Sequence, residues 1–145
     1  MPTATNEMIV KLEGVDKKAL DYTITENLGY GYIGVNATYV NELPIRRAIM
    51  HAMDTSLCLD YYGGGQLAEL IYRPMSKTLK DYYPSDITEP YYAYDGTGET
   101  SLELAQEAGY SLKNGVLTNA AGKKLSFTFT IAGDTTDHPA YKVLN

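Results

Sequence analysis

Asp134, Asp137 and His138 place two carboxylates and an imidazole within five residues of one another, where a β-rich run gives way to Pro139. Such a trio can meet an amine through its acids or a carboxylate through a charged imidazole. Asp137 can equally cap the helix that starts at Pro139, since a carboxylate just ahead of a first-turn proline accepts N–H groups that have no partner within the helix. A second constellation, Gly29-Tyr30-Gly31-Tyr32-Ile33-Gly34, fits the spacing G-x-G-x-x-G. Phosphate binding by that motif needs a strand before it and a helix opening inside it. Here Tyr32, Ile33 and Val35 favour a strand, and no βαβ unit follows, so the run reads as a glycine-rich strand. Its glycines clear side chains from one face and admit a closely approaching backbone or ligand. His51 lies beside the apolar stripe of its helix and reads as a boundary residue rather than as a base or a ligand.

No catalytic constellation emerges from the rest of the chain. G-x-S-x-G, C-x-x-C, paired-histidine and Gly-rich Lys-Ser/Thr phosphate motifs are all missing. Two histidines and one cysteine are too few for a transition-metal site unless carboxylates complete it. The chain therefore reads as a non-enzyme without a cofactor or metal. A net charge of −6 argues against nucleic acid, which calls for a basic face. Cys58 is the only cysteine, which excludes an internal disulfide. A length of 145 residues suits one domain with a modest core, and no apolar run is long enough to span a membrane.

The elements that would hold these residues follow from periodicity. Residues 5–13 read as a short helix stopped by Gly14, and "DYTITE" and "YGYIGVN" as strands. A helix is predicted from Glu42 to Asp54. Its stripe of Ile45, Ala48, Ile49, Ala52 and Met53 marks one buried face, with Asn41 as its cap and Pro44 in its first turn. The stripe should pack on Ile33, Val35, Phe127 and Phe129. Thr55 to Tyr61 reads as a shorter helix. Residues 62–98 hold three consecutive glycines, three of the six prolines and seven tyrosines, and read as a long extended wrap pinned by its aromatic rings. Thr100 to Ala108 reads as a helix with a Thr100/Glu103 capping box and Gly109 as a left-handed stop. A hairpin is predicted beyond it, with a strand near Val116-Leu117, a turn at 119–122 and a strand from Lys124 to Ile131. The sum is an α+β domain: a small mixed or antiparallel sheet flanked by helices, with a long Tyr-rich loop.

Four segments, in order, resemble extracellular solute-binding proteins of the oligopeptide/dipeptide ABC transporter family (family 5). The first is "NATYVNELPIRRAIMHAMD", where Asn36, Pro44, Arg46, Ala48, Ile49, Ala52, Met53 and Asp54 match a strand ending in Asn, then Pro, then a helix written R-x-A-hydrophobic-x-x-A-hydrophobic-D. The second, "YYGGGQLAELIYRPMSKTLKDYYPSD", is similar to the irregular segment after that helix. The third carries Tyr94, Asp95, Leu104, Glu107, Ala108, Gly109 and Tyr110 of a Tyr-Asp, then Leu-x-x-Ala-Gly-Tyr, signature; Ser101-Leu102 stands where relatives often have Ala-Lys before the paired leucines. The fourth, "GKKLSFTFTIAGDTT", resembles a strand entering the ligand cleft. The resemblance covers residues 20–143.

The resemblance implies a fold, a role and a site. Members of the family have two lobes joined by a hinge and run to several hundred residues, so residues 1–145 would be a single domain, an incomplete part of the C-terminal-side lobe, with Met1 as an added start. The role would be the substrate-binding component of a peptide importer: it captures extracellular peptides and delivers them to ABC permease subunits. The location would be extracytoplasmic, as a cell-surface lipoprotein or in the periplasm. Relatives bind dipeptides, longer peptides, nickel or sugars. The ligand-contacting residues carried over are Tyr32, Gly34 and Asn36 on the first strand, and Asp134, Asp137 and His138 after the last. Tyr32 can alternatively pack on a neighbouring strand. Exposed strand edges would favour a homodimer of the isolated piece. The alternative role is an independent protein–protein interaction module without transport.

Overall fold

The computed structural model describes residue 23, residues 25–62 and 67–84, residue 86, and residues 92–133 and 138–144. It is an α+β arrangement in which two helices pack on each other and a two-stranded antiparallel hairpin follows the second. The sequence readings for 5–13 and for half of "DYTITE" lie outside the described residues.

Helix α1 spans Leu43–Ala52 and opens with Pro44 in its first turn. Asn41 does not cap it. The cap position is Glu42, with no side-chain bond to the first turn. Proline removes one of the N–H groups that a cap would serve. The turn ahead of α1 is held instead by Arg46, whose Nη1 donates to the carbonyls of Val40 (2.8 Å) and Asn41 (2.9 Å). Thr55–Tyr62 forms a 3-10 helix, which packs on a second 3-10 helix at Pro139–Leu144. The described part of 62–98 is irregular, as its composition suggests.

Helix α2 spans Glu99–Glu107. Its N-terminus is served from outside the helix, not by a Thr100/Glu103 box. The Asp95 carboxylate accepts from the N–H groups of Thr97 (3.0 Å), Gly98 (2.8 Å) and Thr100 (3.0 Å). Gly98 can fill the cap position at φ +77° because it has no Cβ. Gly109, at φ +83°, ends the helix as the sequence indicates.

Strands β1 (Tyr110–Lys113) and β2 (Val116–Asn119) pair from Tyr110↔Asn119 to Lys113↔Val116. The turn between them is Asn114-Gly115, both at positive φ (50° and 77°), the geometry of a two-residue type I′ turn. The hairpin expected between 116 and 131 is thus only the outer half of what forms. A turn at 119–122 does bring Lys124 opposite Thr118, and Leu125 N donates to Leu117 O at 2.8 Å. The strand expected to continue to Ile131 stops there. β2 is four residues long and begins at Val116, so a chain running antiparallel past Leu125 soon reaches the end of that partner. Phe127 and Phe129 are exposed in consequence. β propensity was present, but a strand needs a neighbour to satisfy its backbone.

Among the described residues the buried apolar set is Ile45, Ala48, Met53 and Ala105. Ile45 and Ala48 lie on α1 and Ala105 on α2, the two helices that pack on each other. Ser101 Oγ donates to Ala48 O (3.0 Å) and pins the pair. Ile49 is only half-buried and Ala52 is exposed, so the stripe is narrower than its periodicity implies. Its partner is α2, not Phe127 and Phe129.

Candidate functional site

Segment 30–36, which the sequence reads as a strand, carries no ladder. It has a strand's alternation all the same. Tyr30 and Tyr32 lie on one side, ring centroids 6.4 Å apart, and a Cβ built on Gly34 would meet the Tyr32 ring at 3.5 Å. Ile33 and Val35 point the other way, half-buried. A two-residue period is the mark of extended backbone. Between Tyr30 and Val35 no backbone hydrogen bond reaches any described residue.

The site residues taken from the sequence behave differently from one another. Tyr32 is 84% exposed, so it does not pack on a neighbouring described strand. Gly34 leaves room rather than making contact; its Cβ position faces only the Tyr32 ring, at ordinary van der Waals distance. Asn36 has a structural task. Its Oδ1 accepts from Thr38 N (2.9 Å) and its carbonyl from Val40 N (2.9 Å), which turns the chain into α1. His138 caps the second 3-10 helix: Nδ1 accepts from Ala140 N (3.2 Å), and its carbonyl accepts from Tyr141 N (2.9 Å). Asp134 and Asp137 lie outside the described residues. No described hydrogen bond or ring contact joins His138 to Tyr32, Gly34 or Asn36.

The inner side of segment 30–36 borders a half-open groove of about 280 Å3 between this segment and α1. Ile33, Val35, Leu43, Met50 and Tyr92 give it apolar walls, and Arg46 and Arg47 edge it. Arg46 is committed to the Val40 and Asn41 carbonyls. Arg47 is exposed and has no ion pair or hydrogen bond among the described residues. Tyr92 is set in place by His51, whose ring meets it edge-on at 5.6 Å. His51 Nδ1 also lies 2.7 Å from Ala93 O; a carbonyl can only accept, so Nδ1 carries the proton. His51 is thus the boundary residue the sequence suggests, fastening the long loop to α1. Sequence reasoning missed this groove. Its one legible signal was the Arg46-Arg47 pair, two of the three arginines of an acidic chain.

The remaining polar groups point to packing rather than chemistry. Cys58 is half-buried, its Sγ 3.6 Å from the Pro139 carbonyl. Burial, and secondarily the Asp54 carboxylate, push its thiol above the ordinary range, away from nucleophilic reactivity. Hydrogen bonds from the Thr100 side chain first, then from the N–H groups of Gly98, Thr100 and Thr97, hold the Asp95 carboxyl well below the usual carboxylate range. No group of three or more His, Cys, Asp or Glu among the described residues is arranged to hold a metal ion. No described helix is long and apolar enough to cross a membrane. Protein-family models, curated proteins and solved structures offer no match to this chain.

Proposed function

We propose that this chain is part of the C-terminal-side lobe of a periplasmic-binding-protein-like receptor. It would serve as the substrate-binding component of an ABC importer that captures extracytoplasmic peptides and passes them to a membrane permease. The observation that carries the proposal is segment 30–36: extended, with no backbone hydrogen bond from 30–35 to another described residue, and lined on its outer side by exposed Tyr30 and Tyr32 with an open position at Gly34. Such an edge suits an extended peptide, which adds as a strand through main-chain hydrogen bonds and places alternate side chains on the two sides. The ordered segments that resemble family 5 support the same role. Arg46 of the shared R-x-A motif fixes the turn between this edge and α1.

The test is an NMR titration of the chain with a mixed pool of short peptides. With one wall of a cleft present, binding should fall in the millimolar range, and the amides of 30–36 should shift saturably. A pool that leaves those amides unmoved refutes peptide capture. Exposed Phe127 and Phe129, on a run with no described ladder partner, favour the alternative of an interaction module that docks on another protein. Shifts confined to 125–131 on adding peptide would favour that role.

A further inference from the structure

We infer that Asn114 is a site of spontaneous deamidation, closing on the backbone nitrogen of Gly115 to a cyclic imide that water opens to aspartate or isoaspartate, while the Asp95-Gly96 step is shielded from the same ring closure by its hydrogen bonds. Imide formation needs a side-chain carbonyl carbon that can reach the next residue's backbone nitrogen, and it is favoured where that residue has no Cβ to crowd the ring. Asn114-Gly115 is the chain's one Asn-Gly step and Asp95-Gly96 its one Asp-Gly step.

The structure separates the two. Asn114 and Gly115 are exposed at the tip of the hairpin, between the paired Lys113 and Val116. Neither the Asn114 side chain nor the Gly115 N–H has a hydrogen bond among the described residues. Ring closure requires the turn to open, which costs little at the end of a two-stranded hairpin. Asn27, Asn36 and Asn119 are engaged instead: each Oδ1 accepts from a nearby backbone N–H, that of Gly29 (2.7 Å), Thr38 (2.9 Å) and Lys123 (2.9 Å). Each also precedes a residue with a Cβ, as does Asn41. Asp95 is the most committed of all. Its Oδ1 accepts from Thr97 and Gly98 and its Oδ2 from Thr100. The Thr100 side chain and these N–H groups hold the carboxyl ionised, the form whose carbon resists attack.

The chemistry at 114 needs no partner but water. A base takes the Gly115 N–H proton, and the nitrogen bonds to Asn114 Cγ. The Cγ–Nδ2 bond breaks, and the nitrogen leaves as ammonia with a proton from water. Water then adds to one imide carbonyl. Breaking the new Cγ–N bond gives aspartate; breaking the original backbone C–N bond gives isoaspartate. Isoaspartate lengthens the backbone by one carbon inside a two-residue turn, so it disturbs the Lys113↔Val116 pairing.

The experiment holds the chain near neutral pH, folded in buffer and unfolded in guanidinium chloride. Proteolytic fragments are followed by mass spectrometry and by isoaspartyl methyltransferase labelling. Asn114 in the folded chain should convert within about tenfold of its unfolded rate, because the turn opens locally. Folding should slow isoaspartate formation at 95 by more than about tenfold, because several hydrogen bonds must be released together. A folded chain in which Asn114 is protected as strongly as Asp95 overturns the inference. So does isoaspartate at 95 that forms equally fast in both conditions, or acid that appears first at Asn36 or Asn119.

Discussion

Replacing Ile45 by Ala tests the packing most directly, because Ile45 is 1% exposed and sits at the α1–α2 contact with Ala48 and Ala105. The substitution deletes three buried carbons. At ~0.8 kcal/mol for each, the transfer loss is about 2.4 kcal/mol. The cavity left behind adds to it, and the total comes to about 3–4 kcal/mol. A small domain has only roughly 5–15 kcal/mol in all, so much of the stability should go. Ile49, one helical step along and only half-buried, supplies the control: Ile49→Ala should cost about 1 kcal/mol. Urea unfolding followed by far-UV circular dichroism measures both, and the linear extrapolation gives each difference at constant slope. If Ile49→Ala costs as much as Ile45→Ala or more, α1 presents a different face to the core and the account of α1 on α2 is wrong.

Two further outcomes follow from local geometry. The Asp95 carboxyl titrates below its unfolded value, so its contribution is fully present above the unfolded pKa of about 4 and is lost as pH falls from there towards the lower folded value. Thermal midpoints should therefore decline from pH 5 towards pH 2, and Asp95→Asn should lower the pH 7 midpoint and flatten that decline; an unchanged slope would mean that the carboxylate does not hold the start of α2. Gly115→Ala forces a Cβ into φ +77° of the β1–β2 turn and should cost roughly 1–2 kcal/mol in chemical denaturation, whereas a neutral result would exclude the type I′ turn.

What the sequence shows of the fold is what local rules determine. The bounds of α1 and α2 come within a residue or two of their apolar periodicity, and Gly109 stops α2 as a left-handed glycine should. The 3-10 helix at Thr55–Tyr62 lies where a short helix is expected. The misreadings concern choices between competing local signals. Asn114-Gly115 is the stronger hairpin signal and closes β1 on β2, yet the Asn119–Gly122 turn, which also forms, drew the expected hairpin one strand too far. The capping-box spacing at Thr100 and Glu103 is real in the sequence, but the Asp95 carboxylate already occupies three N–H groups at that end of α2.

The candidate site divides along the same line, between what one residue determines and what several segments determine together. Asn36 reads as a ligand contact through the resemblance and His138 through its place beside Asp134 and Asp137, but an Asn or His at the edge of an element has a near partner in its own backbone, and each makes that local bond. Tyr32 and Gly34 keep the exposure a ligand needs because the alternation of an extended segment turns them away from α1. The groove has no one-dimensional signature. It exists because Ile33 and Val35, Leu43 to Met50, and Tyr92 come from three stretches of chain, and because His51 holds the third against the second. Only Arg47 announces itself, as a positive charge in an acidic chain beside an arginine that the fold has already used.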